Sequence, residues 1–149
     1  MTAGLPGSVV IDTSVFVSAE IFSTKPSSPA REALARSFAR HFDTAVSDLL
    51  LREIARKLLE LGFDEAGVAD YLAKIRAVAT CFPDEDPTGL TCDDEEDLFV
   101  LALARTCQAW FVVAQDNALS RQRPLGCTPG FFLARLREAR GEPEGHRFP

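Results

Sequence analysis

The sequence predicts an α/β domain built on a mostly parallel sheet, and three observations carry that prediction. Val9-Val10-Ile11 and Trp110-Phe111-Val112-Val113 are short β-branched and aromatic runs, the composition of strands buried on both faces. Segments with apolar residues at helical spacing lie between such runs. Strand and helix signals alternate through the chain with no internal repeat and no linker, the pattern of a parallel sheet covered by helices.

Taken in order, Val9 to Ile11 form a first strand, and Val15, Phe16, Val17, Ala19, Ile21 and Phe22 suggest a short helix entering the core. Residues 23–29 (STKPSSP) read as a loop, and Ser28-Pro29 then opens a helix to about Arg40, with Ser as cap and Pro in the first turn. Phe42 to Val46 reads as a second strand. Ser47 caps a helix from Asp48 to about Leu61 whose residues Leu50, Leu51, Ile54, Leu58 and Leu61 share one face. A further helix spans Asp64 to about Val78, and a third strand lies around Ala79 to Phe82. After the acidic loop 83–92 comes helix 94–107, apolar almost all round and so heavily buried. Ala109 to Ala114 is the next strand and Leu125 to Thr128 a brief last one. Thr128-Pro129 opens a final helix carrying Phe131, Phe132, Leu133 and Leu136. Residues 1–140 are expected to form one domain and 141–149 a disordered tail.

The totals exclude several classes. The longest apolar run, Leu98 to Ala104, is far too short to span a membrane, and residues 1–8 hold no basic residue of the kind that opens a signal peptide. A cytoplasmic protein is expected. Four cysteines at wide intervals and two distant histidines lack zinc-site spacing, so reduced, mostly buried thiols are expected instead. A net charge of −6 argues against a nucleic-acid partner only until its distribution is seen. Eight acids and no Lys or Arg fall within residues 84–97; without them the remainder carries +2, with Arg121, Arg123, Arg135, Arg137 and Arg140 near the end.

Chemistry is suggested by where acids sit. Asp12 and Asp116 each directly follow an apolar strand, Glu53 lies in the first half of the helix after the second strand, and Asp97 lies in the first turn of the buried helix. In a parallel sheet strands end and their following helices begin at one edge, so topology brings all four together although up to a hundred residues separate them. Taken alone, Asp12 is better explained as the cap of the next helix. Asp93 and Asp94 suit a helix N-terminus as well as a ligand set, and Glu95 and Glu96 suit the helix N-terminus better. Carboxylates held together raise each other's pKa unless a cation sits among them, and an all-oxygen donor set suits Mg²⁺ or Mn²⁺. Such an ion among acids points towards phosphodiester hydrolysis.

Val9-Val10-Ile11-Asp12-Thr13-Ser14-Val15 resembles the opening signature of PIN domains, the nuclease fold of VapC-type toxins. The run from Asp97 through Ala104 resembles their third acidic motif, residues 110–116 (WFVVAQD) the fourth, and Ser47 to Glu53 the segment carrying the second acid. Thr128-Pro129-Gly130-Phe131-Phe132 is similar to the family's closing motif, and the likeness covers roughly residues 8–137. The resemblance implies a three-layer α/β/α sandwich with about five strands, a usual size for a sheet. It implies a Mg²⁺- or Mn²⁺-dependent ribonuclease, homodimerisation, and a small antitoxin partner that blocks the site. Asp12, Glu53, Asp97 and Asp116 match the family's acids one by one, and Asp93 and Asp94 fall at accessory positions. Two departures stand out: Ser14, where Asn is frequent, and Ala118, where a polar residue is usual and its loss weakens a second metal site.

The leading expectation is therefore a metal-dependent ribonuclease, the toxin half of a toxin–antitoxin pair. Its rival is a catalytically weak or inactive PIN-fold module that binds RNA or protein, favoured by Ala118. Other phosphate-handling α/β folds fit poorly. A receiver domain needs a late Lys and none follows Lys74; a haloacid-dehalogenase-type phosphatase needs an Asp where Ser14 stands.

Overall fold

The computed structural model describes residues 5–21, 28–92, 94–115, 118–122 and 124–143. Its elements run β1 (Val9–Ile11), α1 (Thr13–Ile21), α2 (Pro29–Phe38), β2 (Thr44–Val46), α3 (Asp48–Glu60), α4 (Glu65–Val78) and β3 (Thr80–Cys81). A 3₁₀ turn (Glu95–Asp97) then leads into α5 (Leu98–Cys107), followed by β4 (Phe111–Val113), β5 (Gly126–Cys127) and α6 (Pro129–Ala139). The five strands pair in the order β3-β2-β1-β4-β5, every pair parallel. This is the α/β fold that the alternation of signals predicts.

That strand order positions the site. The chain steps outward from β1 to β2 to β3, then returns through α5 to place β4 on the other side of β1. Between β1 and β4 the direction of winding reverses, and at such a switch point the loops diverge and leave a crevice at the carboxyl ends of the strands. Val9, Val10 and Ile11 pair with Phe111, Val112 and Val113, and the backbone N–H of Asp12 extends the ladder to the Val113 carbonyl at 2.8 Å. Asp12 is thus anchored at the mouth of that crevice.

The core confirms the strand composition. Every residue of β1, β2 and β4 is buried, which is why β1 and β4 are continuously apolar rather than alternating; in β2 the buried Thr44 hydroxyl is paired with that of Ser37 at 2.6 Å. Helix α5 packs on β1, β2 and β4 with Val100 to Ala104 buried, whereas α1 packs on α2 and α3, and α2 on α6. Gly126 is required in β5, because a Cβ there would stand 1.9 Å from the Leu119 carbonyl oxygen.

Local capping follows the sequence with one exception. Ser47 Oγ accepts the Leu50 N–H at 3.2 Å and Thr128 Oγ1 accepts the Phe131 N–H at 3.4 Å. Ser28 stands at the cap of α2 but its side chain makes no capping bond, leaving the proline in the first turn to set that start. Four core expectations are corrected. Ile21, expected to enter the core with α1, is 49% exposed at its end. Leu61 lies past the last turn of α3 and is 50% exposed, and Phe131 at the outer side of α6 is 46% exposed. Only Cys127 is a fully buried thiol; Cys81 is exposed and Cys92 and Cys107 are half-buried.

The stretch expected to be a disordered tail begins in an ion pair. Both carboxylate oxygens of Glu142 accept hydrogen bonds from the buried Arg36 guanidinium, at 2.7 and 2.8 Å. Residues 144–149 lie outside the described residues. Among the described residues, no helix is long and apolar enough to cross a membrane.

Candidate active site

A crevice of about 450 Å³ opens at the carboxyl edge of the sheet, within the range of small-ligand sites. One wall is α1, which contributes Thr13, Ser14, Val17, Ser18 and Ile21 from a single helical face. Glu53 and Lys57, one turn apart on α3, form the second wall. Asp94, Glu96, Asp97 and Phe99, around the start of α5, form the third, and Asp12 and Gln115 lie at the strand ends.

Asp12 does cap α1, since its Oδ2 accepts the Ser14 N–H at 3.1 Å, and it is also buried in the crevice at 6% exposure. Capping and facing the site are therefore compatible for one carboxylate. Asp97 sits deeper than its neighbours in the 3₁₀ turn. Burial pushes its carboxyl up to about 6, and the charges of Asp12, Asp94, Glu96 and Glu53 push in the same direction. Asp94 caps the 3₁₀ turn through Oδ1, which accepts the Glu96 N–H at 3.0 Å.

Glu53 lines the crevice with Asp12 and Asp97 but is paired within its own helix. Its two carboxylate oxygens are held by the Arg56 guanidinium, at 3.1 Å through Nε and by a second bond through Nη2. This pairing holds the Glu53 carboxyl below its usual range, with Arg56 the main cause. Arg56 also binds Glu60, so it sits astride two acids of α3. Asp93 and Asp116 lie outside the described residues.

Sequence reasoning singled out Ser14 but not Thr13, Ser18 or Gln115 of the crevice. Ser14 Oγ accepts the backbone N–H of Gln115 at 3.1 Å, and Gln115 Nε2 donates to Ser18 Oγ at 2.7 Å. These bonds tie α1 to the end of β4. The spacing of Ser14 and Ser18, one turn apart, was the available signal. Thr13 Oγ1 is buried in the wall with no protein partner. Glu96, set aside as a helix-end acid, lines the crevice.

Other acids of the 84–97 run have structural work elsewhere. Asp84 accepts the Leu49 N–H at the start of α3, and Asp86 accepts from Thr88. Three of the late arginines are likewise paired, and Arg123 lies outside the described residues. Arg137 pairs with Glu32, Arg140 with Glu142 and Arg135 with Glu138.

The donor set was tested against a hard divalent cation. Carboxylates crowded enough to raise Asp97, beside the orphaned Thr13 hydroxyl, are the oxygen donors such an ion takes. Among the described residues, no three acids are already arranged to hold one, and Glu53 is turned to Arg56. The residues present fit the ion in kind, with Glu53 needing release from its ion pair.

A search of curated proteins returned no match. Among solved structures, the crystal structure of PAE2754 from Pyrobaculum aerophilum is similar in fold. It shares 19% identity with a TM-score of 0.53 over 93% of this chain and 99% of the other. The family model for the PIN domain matches residues 8–118, the span that contains β1 through β4 and the whole acidic crevice. The chain therefore belongs to the PIN domain family, whose fold is of the nuclease type.

Proposed function

We propose that this protein is a divalent-metal-dependent endoribonuclease that hydrolyses RNA phosphodiester bonds and is the toxin component of a toxin–antitoxin pair. The observation that carries the reading is the crowding of Asp12, Glu53, Asp94 and Glu96 around the raised carboxyl of Asp97, at the switch point of the sheet. Asp12, Glu53, Asp97 and Asp116 would hold Mg²⁺ or Mn²⁺, with Asp94 as an accessory ligand. Such an ion supplies charge for the phosphate oxygens and a water acidic enough to attack at neutral pH.

The chain's own residues have definable parts in this reading. Asp12 is oriented by the Ser14 N–H and buried, so its charge is directed into the crevice rather than screened by solvent. Asp97 lines the same crevice, and the neighbouring charges that push its carboxyl up in the metal-free protein are the ones a bound cation would offset. The Ser14 and Ser18 bonds to Gln115 keep the end of β4 against α1. A homodimer, a small antitoxin that covers the crevice, and a cytoplasmic location complete the proposal.

The test is cleavage of total RNA with and without Mn²⁺. Cleavage that requires the ion and disappears in Asp12→Asn is expected; equal cleavage by that variant, or cleavage that survives EDTA, would overturn the reading. A second reading, a PIN-fold module that binds RNA or protein without cutting, is favoured by two features. These are Ala118 and the engagement of Glu53 by Arg56. Calorimetric titration with Mn²⁺ separates them, because the binding module has no need to take up the ion.

A further inference from the structure

A second cavity, of about 560 Å³, lies along the later turns of α5 and, among the described residues, shares no lining residue with the acidic crevice. Leu101 and Ala104 of α5, both buried, form its apolar lining together with Leu90 and with Pro124 and Leu125 just before β5. Gln122 Nε2 donates to the Thr91 carbonyl at 3.2 Å and so joins the 89–91 loop to the segment before β5. Arg105, Gln108 and Gln122 supply the polar groups. Arg105 Nη1 and Nη2 donate to the Thr88 and Asp86 carbonyls at 3.2 and 2.8 Å, so neutral acceptors fix the guanidinium and leave its charge in place. Asp86 is the carboxylate that feels this charge. Its Oδ1 already accepts the Thr88 N–H and hydroxyl, and those bonds are the main reason its carboxyl lies below the usual range, with Arg105 adding to them. Gln108 ends α5 in the left-handed conformation, and its side-chain amide makes no hydrogen bond among the described residues. The amide oxygen of Gln122 is likewise without a donor there. An apolar cavity of small-molecule size that carries one cation and two amides has the build of a ligand site.

We propose that this cavity is a binding site for a nucleoside monophosphate, with Arg105 holding the phosphate and the apolar lining and the Gln108 and Gln122 amides receiving the base. Three features select that chemistry. The guanidinium has carbonyl partners and a carboxylate occupied elsewhere, so an oxyanion gains a charge-assisted bond that nothing on the wall now makes. A purely apolar occupant would cover the Gln108 and Gln122 amides with carbon and leave them unsatisfied, whereas a heterocycle brings donors and acceptors on its edge. The faces of the same ring are apolar and match Leu90, Leu101 and Leu125. The site needs no metal and none of the acids of the crevice, so it stands apart from the nuclease reading.

The test is isothermal titration of the whole protein, in EDTA, with the 5′-monophosphates of adenosine, guanosine, cytidine and uridine, with the matching nucleosides and with inorganic phosphate. Emission from Trp110 is followed in parallel, because this lone tryptophan directly follows Ala109 in the cavity wall. At least one monophosphate is expected to bind saturably and to change that emission, with its nucleoside about tenfold weaker for want of the charged contact. Arg105→Gln is expected to bring the monophosphate down to the affinity of the nucleoside, and Arg105→Lys to recover part of the loss. Gln108→Asn suits the left-handed backbone but withdraws the amide, and is expected to weaken nucleoside and monophosphate alike by about threefold. A 5′-phosphorylated trinucleotide separates two sources of the same chemistry. Affinity equal to the mononucleotide supports the site as a holder of RNA ends, and weaker affinity supports it as a site for free nucleotides. No heat from any of the monophosphates, binding that Arg105→Gln leaves intact, or inorganic phosphate that binds as tightly as the nucleotides would overturn the site.

Discussion

Ser14 Oγ accepts the backbone N–H of Gln115 at 3.1 Å, a bond between residues 101 positions apart in the chain. It joins the first turn of α1 to the end of β4, the two elements that flank the switch point. The hydroxyl at position 14 thus has a structural role that does not depend on any ligand.

Ser14→Ala should remove that bond and leave the Gln115 N–H unpaired. A loss of about 1 kcal/mol is expected, read as a lower denaturation midpoint with an unchanged slope. Mn²⁺ affinity is expected to fall as well, because the end of β4 loses an anchor. A variant with unaltered stability would show that water replaces the hydroxyl fully.

Arg56 competes for Glu53. Arg56→Gln removes the pairing that holds the Glu53 carboxyl below its usual range and frees both oxygens. Mn²⁺ binding measured by calorimetry is expected to tighten several-fold. Affinity that falls instead would mean that the ion pair orients Glu53 rather than diverting it.

Asp97 destabilises the metal-free fold at neutral pH. Its folded-state carboxyl lies at about 6, above its ordinary value of 3.8, so ionisation favours unfolding. The penalty is absent below the ordinary value, grows between pH 4 and 6 and is full above that. Asp97→Asn should therefore stabilise the metal-free protein at pH 7.5 by about 1 kcal/mol, since solvent screening leaves only part of the shift as stability. That gain should vanish by pH 4. Thermal melts at the two pH values check it, and equal gains at both would show a packing effect instead.

Glu142 works in the opposite direction. The Arg36 guanidinium holds its carboxyl at about 2, below the ordinary 4.5, so the pair contributes stability above pH 4.5 and loses it as pH falls towards 2. Glu142→Gln is expected to cost about 1 kcal/mol at pH 7 and progressively less as pH falls from 4.5 towards 2, where the wild-type group is about half protonated. A pH-independent difference would indicate that the carboxylate charge is not what the buried Arg36 requires.

Much of the fold was legible in local chemistry. Val9 to Ile11 and Phe111 to Val113 are too uniformly apolar for anything but buried strands, and Ser47 and Thr128 mark helix starts through bonds made within three residues. The placement of Asp12 and Asp97 at one edge followed from the rule that parallel strands and their helices share it. Ser28 was a weaker signal, since a proline in the first turn can open α2 without a side-chain cap.

The sequence by itself determined the elements and the acidic character of one sheet edge, because periodicity, capping and strand composition act over a few residues. Only the tertiary structure decided what those residues do to one another. It set β4 beside β1, joined Ser14 to Gln115, and turned Glu53 towards Arg56. It also consumed Arg137 and Arg140 in pairs with Glu32 and Glu142 that a run of basic letters does not reveal. Partners chosen across a hundred residues depend on which surfaces the packed sheet brings face to face, and no local pattern encodes that choice.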